Sequence, residues 1–126
     1  MHPKPEDGRQ YRPLVTRVDA DGNEAAGIRL PDIAVPLATY TGWNLYKSPF
    51  PEGELCDRDG SYLPFARTRA ERERSGDPRP SLEERYGGRE AYVAKLAEAA
   101  RQLVAERLLL QEDADRYVEA AKAAAF

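Results

Sequence analysis

The sequence predicts an α+β fold that is mostly α-helical, and three observations predict it. An Asp-Gly turn lies between two short apolar runs, which is typical of a β-hairpin. Five prolines interrupt residues 31–64, which favours an ordered loop. After residue 88, apolar side chains recur at three- and four-residue steps, which predicts a C-terminal helical hairpin. We therefore divide the chain into an extended lead-in (1–12), a hairpin and aromatic loop region (13–65) and a helical tail (66–126).

The composition limits the core that this chain can build alone. It has 126 residues, the size of one domain, with 19 alanines but only 23 Leu, Ile, Val and Phe residues. That is about 18% large apolar residues, less than a self-sufficient core usually has. We expect one structural unit that is incomplete alone and buries part of its apolar surface against another domain or chain.

Charge and hydropathy exclude several classes of protein. The 19 basic and 22 acidic residues are mixed along the chain and give a net charge of −3, so we expect no nucleic-acid partner. No apolar run reaches the roughly 18 residues of a membrane span, and the N-terminus lacks the apolar core of a signal peptide. We therefore expect no membrane partner.

The predicted hairpin has a well-defined turn signal. Residues 14–18 predict a short strand, and residues 25–30 predict the returning strand. Between them, Asp21 and Gly22 favour a type I′ turn, because both residue types tolerate positive φ angles.

The same turn resembles part of a calcium loop. Asp19, Asp21 and Asn23 occupy the first, third and fifth places of an EF-hand loop. That loop requires glycine at the sixth place and a bidentate glutamate at the twelfth, where this chain has Glu24 and Leu30. We therefore interpret the segment as a plain turn and predict no metal and no cofactor.

The region between the hairpin and the helices is rich in aromatic residues. Prolines and glycines exclude a long helix there, so we predict short extended segments at 33–35 and 37–41 and ordered loop elsewhere. Six of the eleven aromatic residues lie in it: Tyr40, Trp43, Tyr46, Phe50, Tyr62 and Phe65. Large apolar groups on irregular backbone usually pack against a neighbouring surface, although a ligand-stacking platform is the alternative. The candidate active-site rim or docking surface is Tyr40, Trp43, Asn44 and Tyr46.

The second half of the chain predicts four helices. Residues 65–75 alternate arginine and glutamate, which is typical of a solvated helix with ion pairs. Ser81 and Glu84 form a capping box that begins a short helix. Residues 89–110 predict a six-turn helix, and residues 112–125 predict its antiparallel partner.

Catalytic patterns are not visible in this sequence. There is no G-x-S-x-G nucleophile elbow, and the one histidine, His2, lies beside the initiator methionine. The one cysteine, Cys56, has acidic neighbours that would raise its thiol pKa, and one histidine with one cysteine cannot supply a zinc site. We assign no catalytic residue.

Five motifs nevertheless carry a family resemblance: VDADGNE, AGIRLP, VPLATYTGWN, PFARTRAER and DPRPSLEERY. In this order they resemble the C-terminal region of a bacterial family of alpha/beta hydrolase domain-containing proteins, from about Tyr11 onward. The resemblance implies the C-terminal part of an α/β-hydrolase-like fold and an esterase-like or amidase-like activity. It also implies that the nucleophile and the catalytic histidine lie upstream of the region represented here.

Two hypotheses for function follow. In the first, the chain is a C-terminal segment or subunit that braces a catalytic hydrolase domain without carrying its nucleophile. In the second, it is a non-catalytic interaction module that self-associates or binds another chain.

Overall fold

A computed structural model describes residues 14–50, 52–56 and 58–126, so the predicted lead-in (1–12) lies outside the described residues. These residues are mostly helical with small antiparallel sheets, which is the α+β class that the sequence predicts. The elements are α1 (Pro31–Ala34), β1 (Ala38–Thr41), β2 (Asn44–Leu45), β3 (Leu55–Cys56), β4 (Ser61–Pro64), α2 (Arg69–Ser75), α3 (Leu82–Tyr86), α4 (Arg89–Ala105) and α5 (Gln111–Ala123).

Helices α4 and α5 form the predicted helical hairpin and hold the core. The guanidinium of Arg89 donates to the carbonyl of Lys122 at 3.3 Å, which brings the start of α4 beside the end of α5. Leu96, only 1% exposed, is the largest fully buried side chain. The buried members of the core cluster are Val35, Tyr92, Leu96 and Ala121. Since alanine contributes little area at about 25 cal/mol per Å², the few large side chains supply most of the apolar burial.

Helix α4 ends before the predicted end at Leu110. Arg107 has a φ of 62°, and the Leu108 N–H donates to the Leu103 carbonyl at 2.9 Å, which is the bond pattern of a Schellman motif. The prediction of one helix to Leu110 was therefore wrong. The three- and four-residue spacing of apolar side chains continues past the point where the chain reverses direction. Spacing alone does not reveal that Arg107 has a left-handed conformation. The reversal leaves Leu108 and Leu110 exposed.

The acidic turn is a hairpin loop, but not of the predicted type. The Asp19 N–H donates to the Asn23 carbonyl at 2.7 Å, and the Gly22 N–H donates to the Asp19 carbonyl at 3.1 Å. Gly22 has a φ of 81°, whereas the φ of Asp21 is not positive. A type I′ turn at Asp21 and Gly22 requires a positive φ at both residues, so the type I′ prediction was wrong.

Three predicted extended segments were also wrong. The strands at 14–18 and 25–30 do not form, because pairing around the turn is limited to one bridge between Val18 and Glu24. The segment at 33–35 mostly belongs to α1, whose first residue is Pro31. The fixed φ of proline suits the first turn of a helix, so this proline begins a helix instead of preventing one.

Asn23 attaches the turn to β1. Its side chain is fully buried, its Nδ2 donates to the Ala38 carbonyl at 3.0 Å, and its Oδ1 accepts from the Tyr40 N–H at 2.7 Å. A carboxamide offers the same donor and acceptor as a peptide group, so Asn23 takes the place of one residue of a neighbouring strand. One edge of β1 is thereby satisfied without a third strand.

Strand β4 pairs with the other edge of β1. The antiparallel register runs from Ala38 opposite Pro64 to Thr41 opposite Ser61, and the predicted extended segment at 37–41 is confirmed as β1. A Cβ on Gly60 would lie 2.2 Å from the Thr41 carbonyl oxygen, so glycine is required where the chain enters β4. The predicted ordered loop therefore contains β4 and the short β2–β3 pair.

The capping box that begins α3 is confirmed. The Ser81 hydroxyl accepts from the Glu84 N–H at 3.3 Å, and the Glu84 carboxylate accepts from the Ser81 N–H at 2.9 Å. The preceding helix α2 has no buried residue, as expected of a solvated helix, and Thr68 caps its N-terminus.

We predict that Asn23→Ala destabilises the fold strongly. The substitution leaves the Tyr40 N–H and the Ala38 carbonyl buried without partners, which should lower the free energy of unfolding by about 2–4 kcal/mol. Urea denaturation followed by circular dichroism measures the change. The matched control is Asn44→Ala at an exposed asparagine, which should change the value by less than about 0.5 kcal/mol. Equal losses in the two variants would contradict the proposed role of Asn23.

Candidate functional site

The acidic turn residues are engaged in protein contacts. Asp19 Oδ1 accepts the N–H groups of Asp21 and Asn23, each at 3.0 Å, and Asp19 Oδ2 accepts from Arg29 at 2.8 Å. The Asp21 carboxylate accepts two hydrogen bonds from the guanidinium of Arg85. In the part of the chain that the structure describes, no group of three or more His, Cys, Asp or Glu side chains could hold a metal ion. The oxygens that resemble calcium ligands thus bond the turn itself, two arginines and the Tyr40 N–H.

Arg85 connects the turn to α3 and to Phe65. Its Nε donates to the Pro80 carbonyl at 2.8 Å, and its guanidinium carbon lies 4.0 Å from the centroid of the Phe65 ring. Arg79 lies 5.0 Å from the same ring. The Arg85 and Asp21 side chains are only 14% and 19% exposed, so removing either would leave its partner charged and sheltered from water. This ion pair fixes the turn relative to α3.

Arg79 holds the β1–β4 ribbon against the segment before α3. Its guanidinium donates to the Thr39 hydroxyl at 2.8 Å and to the Leu63 carbonyl at 3.0 Å, which lie on opposite strands. It also pairs with Asp77 at 2.6 Å. The hydrogen bonds from Arg79 lower the pKa of the Asp77 carboxyl to about 2. The charge of Arg79 is therefore paired with the Asp77 carboxylate within the fold.

Two of the predicted rim residues, Tyr40 and Tyr46, contact another aromatic ring. Tyr40 is the more buried of the two. It lies half-buried on β1, and its ring centroid is 5.3 Å from that of Tyr62 on β4. Burial, followed by the negative charge of Asp32, raises the pKa of the Tyr40 hydroxyl to about 12. The hydroxyl therefore keeps its proton at neutral pH.

The other three predicted rim residues lie at β2 and its flanks. Trp43 is half-buried, whereas Asn44 and Tyr46 are exposed. The Tyr46 ring lies 5.9 Å from the ring of Phe50. The ring contacts thus link Tyr40 to β4 and Tyr46 to the loop after β2, and their role as an active-site rim or docking surface stays a prediction.

Two groups that could act as nucleophiles, Ser81 and Cys56, are buried. Ser81 is fully buried, and its hydroxyl donates to the Glu84 carboxylate at 2.8 Å. Hydrogen bonds from Ser81 lower the pKa of the Glu84 carboxyl to about 2, which makes that carboxylate a poor general base. Cys56 is buried in β3, and His2 lies outside the described residues. The Ser81–Glu84 pair therefore serves as a helix cap.

Sequence reasoning missed the roles of Arg79, Arg85 and Phe65. The available signal was the position of both arginines next to the capping box, in DPRPSLEERY. Arg85, however, is separated from Asp21 by 64 residues, and local spacing does not predict a partner at that distance.

We predict that stability falls in acid because of Asp77 and Glu84. Both carboxyl groups have a folded-state pKa of about 2, below the ordinary value of about 4, so their contribution is present above about pH 4 and is lost as the pH falls towards 2. The double variant Asp77→Asn, Glu84→Gln should be less stable at pH 7 and should lose less stability between pH 5 and pH 2. Urea midpoints across this pH range measure the slopes.

The control for this experiment is Asp59→Asn. Asp59 is exposed and has no hydrogen bond to another described residue, so this variant should keep the wild-type slope. An unchanged slope in the double variant would contradict the assignment to Asp77 and Glu84.

Comparison with known proteins identifies the family. The sequence matches the alpha/beta hydrolase domain family over residues 2–119, which include α4, the first part of α5 and the contacts of Arg79 and Arg85. Comparisons with curated proteins and with solved structures gave no match. Because the family match covers most of the 126 residues, the chain belongs to the alpha/beta hydrolase domain family.

Proposed function

We propose that this chain is a bracing segment or subunit, C-terminal in position, of an α/β-hydrolase-like enzyme of the esterase or amidase type. In this role it packs against a catalytic domain that carries the nucleophile and the catalytic histidine. Membership of the hydrolase family supports the reaction class. The observation that carries the bracing role is the exposure of large apolar side chains between β2 and β4.

We name four of these exposed side chains, taken together, the apolar loop face. They are 51%, 38%, 63% and 51% exposed, in the order Leu45, Tyr46, Phe50 and Leu63. Complete burial of one such side chain stabilises a folded protein by about 1.5–3 kcal/mol. In this chain the four side chains are only partly buried. A partner surface that covers the face would bury their remaining apolar area, and the free energy of that burial favours docking.

The polar side chains around Phe65 support a structural role for this region. Arg85 pairs with Asp21, and Arg79 pairs with Asp77. Binding substrate with either guanidinium would require one of these ion pairs to open. The paired arginines therefore keep the turn, the β1–β4 ribbon and α3 in place beside the apolar loop face.

We predict that esterase activity copurifies with this chain through the apolar loop face. The full chain, tagged and expressed in its source organism, should copurify with hydrolysis of p-nitrophenyl acetate. Leu45→Ser with Phe50→Ser should reduce the copurified activity at least about tenfold, because two exposed apolar contacts are lost. The matched control is Leu108→Ser with Leu110→Ser, at exposed residues of the α4–α5 connection, which should retain the activity.

A fluorophosphonate probe identifies which chain carries the nucleophile. The expected result is labelling of a copurified chain and no labelling of this one. Labelling of a serine in this chain, or equal activity with both surface variants, would contradict the proposed bracing role.

A second candidate function, self-association, is favoured by a different exposed surface. Apolar side chains of the loop before α1 and of the α4–α5 connection are between 41% and 64% exposed: Ile28, Leu30, Leu108 and Leu110. Sedimentation velocity of the isolated chain tests this function. A concentration-dependent dimer that Leu108→Ser with Leu110→Ser abolishes would support it, and a monomer at all concentrations would contradict it.

A further inference from the structure

A cavity of about 380 Å³ lies between β4, α3 and the C-terminal residues, and neither Arg79 nor Arg85 lines it. Its walls are apolar and come from Leu37, Pro64, Phe65, Leu82, Ala124 and Ala125. Volumes of about 300–1,000 Å³ with apolar walls are typical of small-molecule sites. The shape and lining therefore suit a ligand with a compact apolar body.

The two polar side chains that line this cavity are Arg67 and Tyr62. The neighbouring arginines pair with carboxylates, as Arg69–Glu73, Arg72–Glu84, Arg79–Asp77 and Arg85–Asp21. The guanidinium of Arg67 makes no ion pair with the described residues, and Glu71 is bonded to the Arg67 backbone N–H at 2.9 Å. Arg67 thus places an unneutralised cation beside apolar walls.

Tyr62 adds a hydrogen-bonding group at the same cavity. Its side chain is 60% exposed, and its hydroxyl has no hydrogen bond to the rest of the described chain. Contact with the Tyr40 ring, at 5.3 Å between centroids, orients the Tyr62 ring. A ligand carboxylate at Arg67 would therefore have a second donor available.

The cavity walls are held by the core. Leu82 and Phe65 are only 3% and 4% exposed, and the ring of Phe126, next to the wall residue Ala125, packs against the ring of Tyr92 at 5.6 Å. Walls that are already ordered lose little conformational entropy on binding. The site is thus largely preformed.

We propose that this cavity binds a small monocarboxylate with an apolar or aromatic body. The guanidinium of Arg67 binds the carboxylate through charge-assisted hydrogen bonds, the Tyr62 hydroxyl donates a further bond, and the apolar walls enclose the body. This site does not depend on the proposed bracing role.

Benzoate is the probe that tests the proposal, with the full chain followed by amide NMR. Benzoate should give saturable shifts at the amides of Leu82, Ala124 and Ala125. Benzyl alcohol has the ring without the charge and acetate has the charge without the ring, so each should bind at least about tenfold more weakly. Equal affinity for benzoate and benzyl alcohol, or no saturable shift with benzoate, would overturn the proposal.

Three variants test the residues that the proposal assigns. Arg67→Gln should raise the Kd for benzoate about tenfold, because the charge-assisted bonds are lost. The matched control, Arg74→Gln, removes an exposed arginine that does not line the cavity and should leave the Kd within about twofold. Ala125→Leu, at an exposed wall position, should weaken binding by filling the cavity. An unchanged Kd in Arg67→Gln or in Ala125→Leu, with a folded amide spectrum, would overturn the proposal.

Discussion

The buried carboxamide of Asn23 is the interaction on which the rest of the structure depends. It satisfies one edge of β1 and thereby places the acidic turn against the ribbon. From that position the Asp21 carboxylate reaches Arg85, and the Thr39 hydroxyl donates to the Asp21 carbonyl. Without the amide, a buried donor and a buried acceptor would each lose a partner, which costs more than a typical hydrogen bond contributes. One polar side chain therefore joins the first part of the chain to the helical part.

A thin apolar core explains why polar contacts carry so much of this fold. Many of the side chains that pack in the helical hairpin are alanines, which bury little apolar area. Ring contacts among Tyr86, Tyr92 and Phe126 supply part of the apolar area that alanine does not. Elsewhere two guanidinium groups lie over the buried ring of Phe65. Arginine can do this because its planar group stacks on an aromatic face while its nitrogens bond carboxylates.

These constraints give three regions of the molecule different chemical character. The arginines around Phe65 are neutralised by aspartates, so that region is structural. The apolar loop face offers contact area without charge, which suits the proposed bracing role. The cavity beside Arg67 combines apolar walls with a cation that makes no ion pair with the described residues, which suits the proposed anionic ligand. The family match describes the class of domain, whereas the contacts of individual side chains distinguish these three regions.

The sequence by itself determined the elements whose cause is local. The apolar spacing of α4 and α5, the Ser81–Glu84 cap and the turn glycine at Gly22 each depend on residues a few positions apart. Tertiary structure alone decided the pairing of β1 with β4. It also decided the distribution of the predicted rim residues and the partners of the acidic turn. Contacts such as Asp21 with Arg85 join residues far apart in sequence, and they form only because folding buries both side chains together.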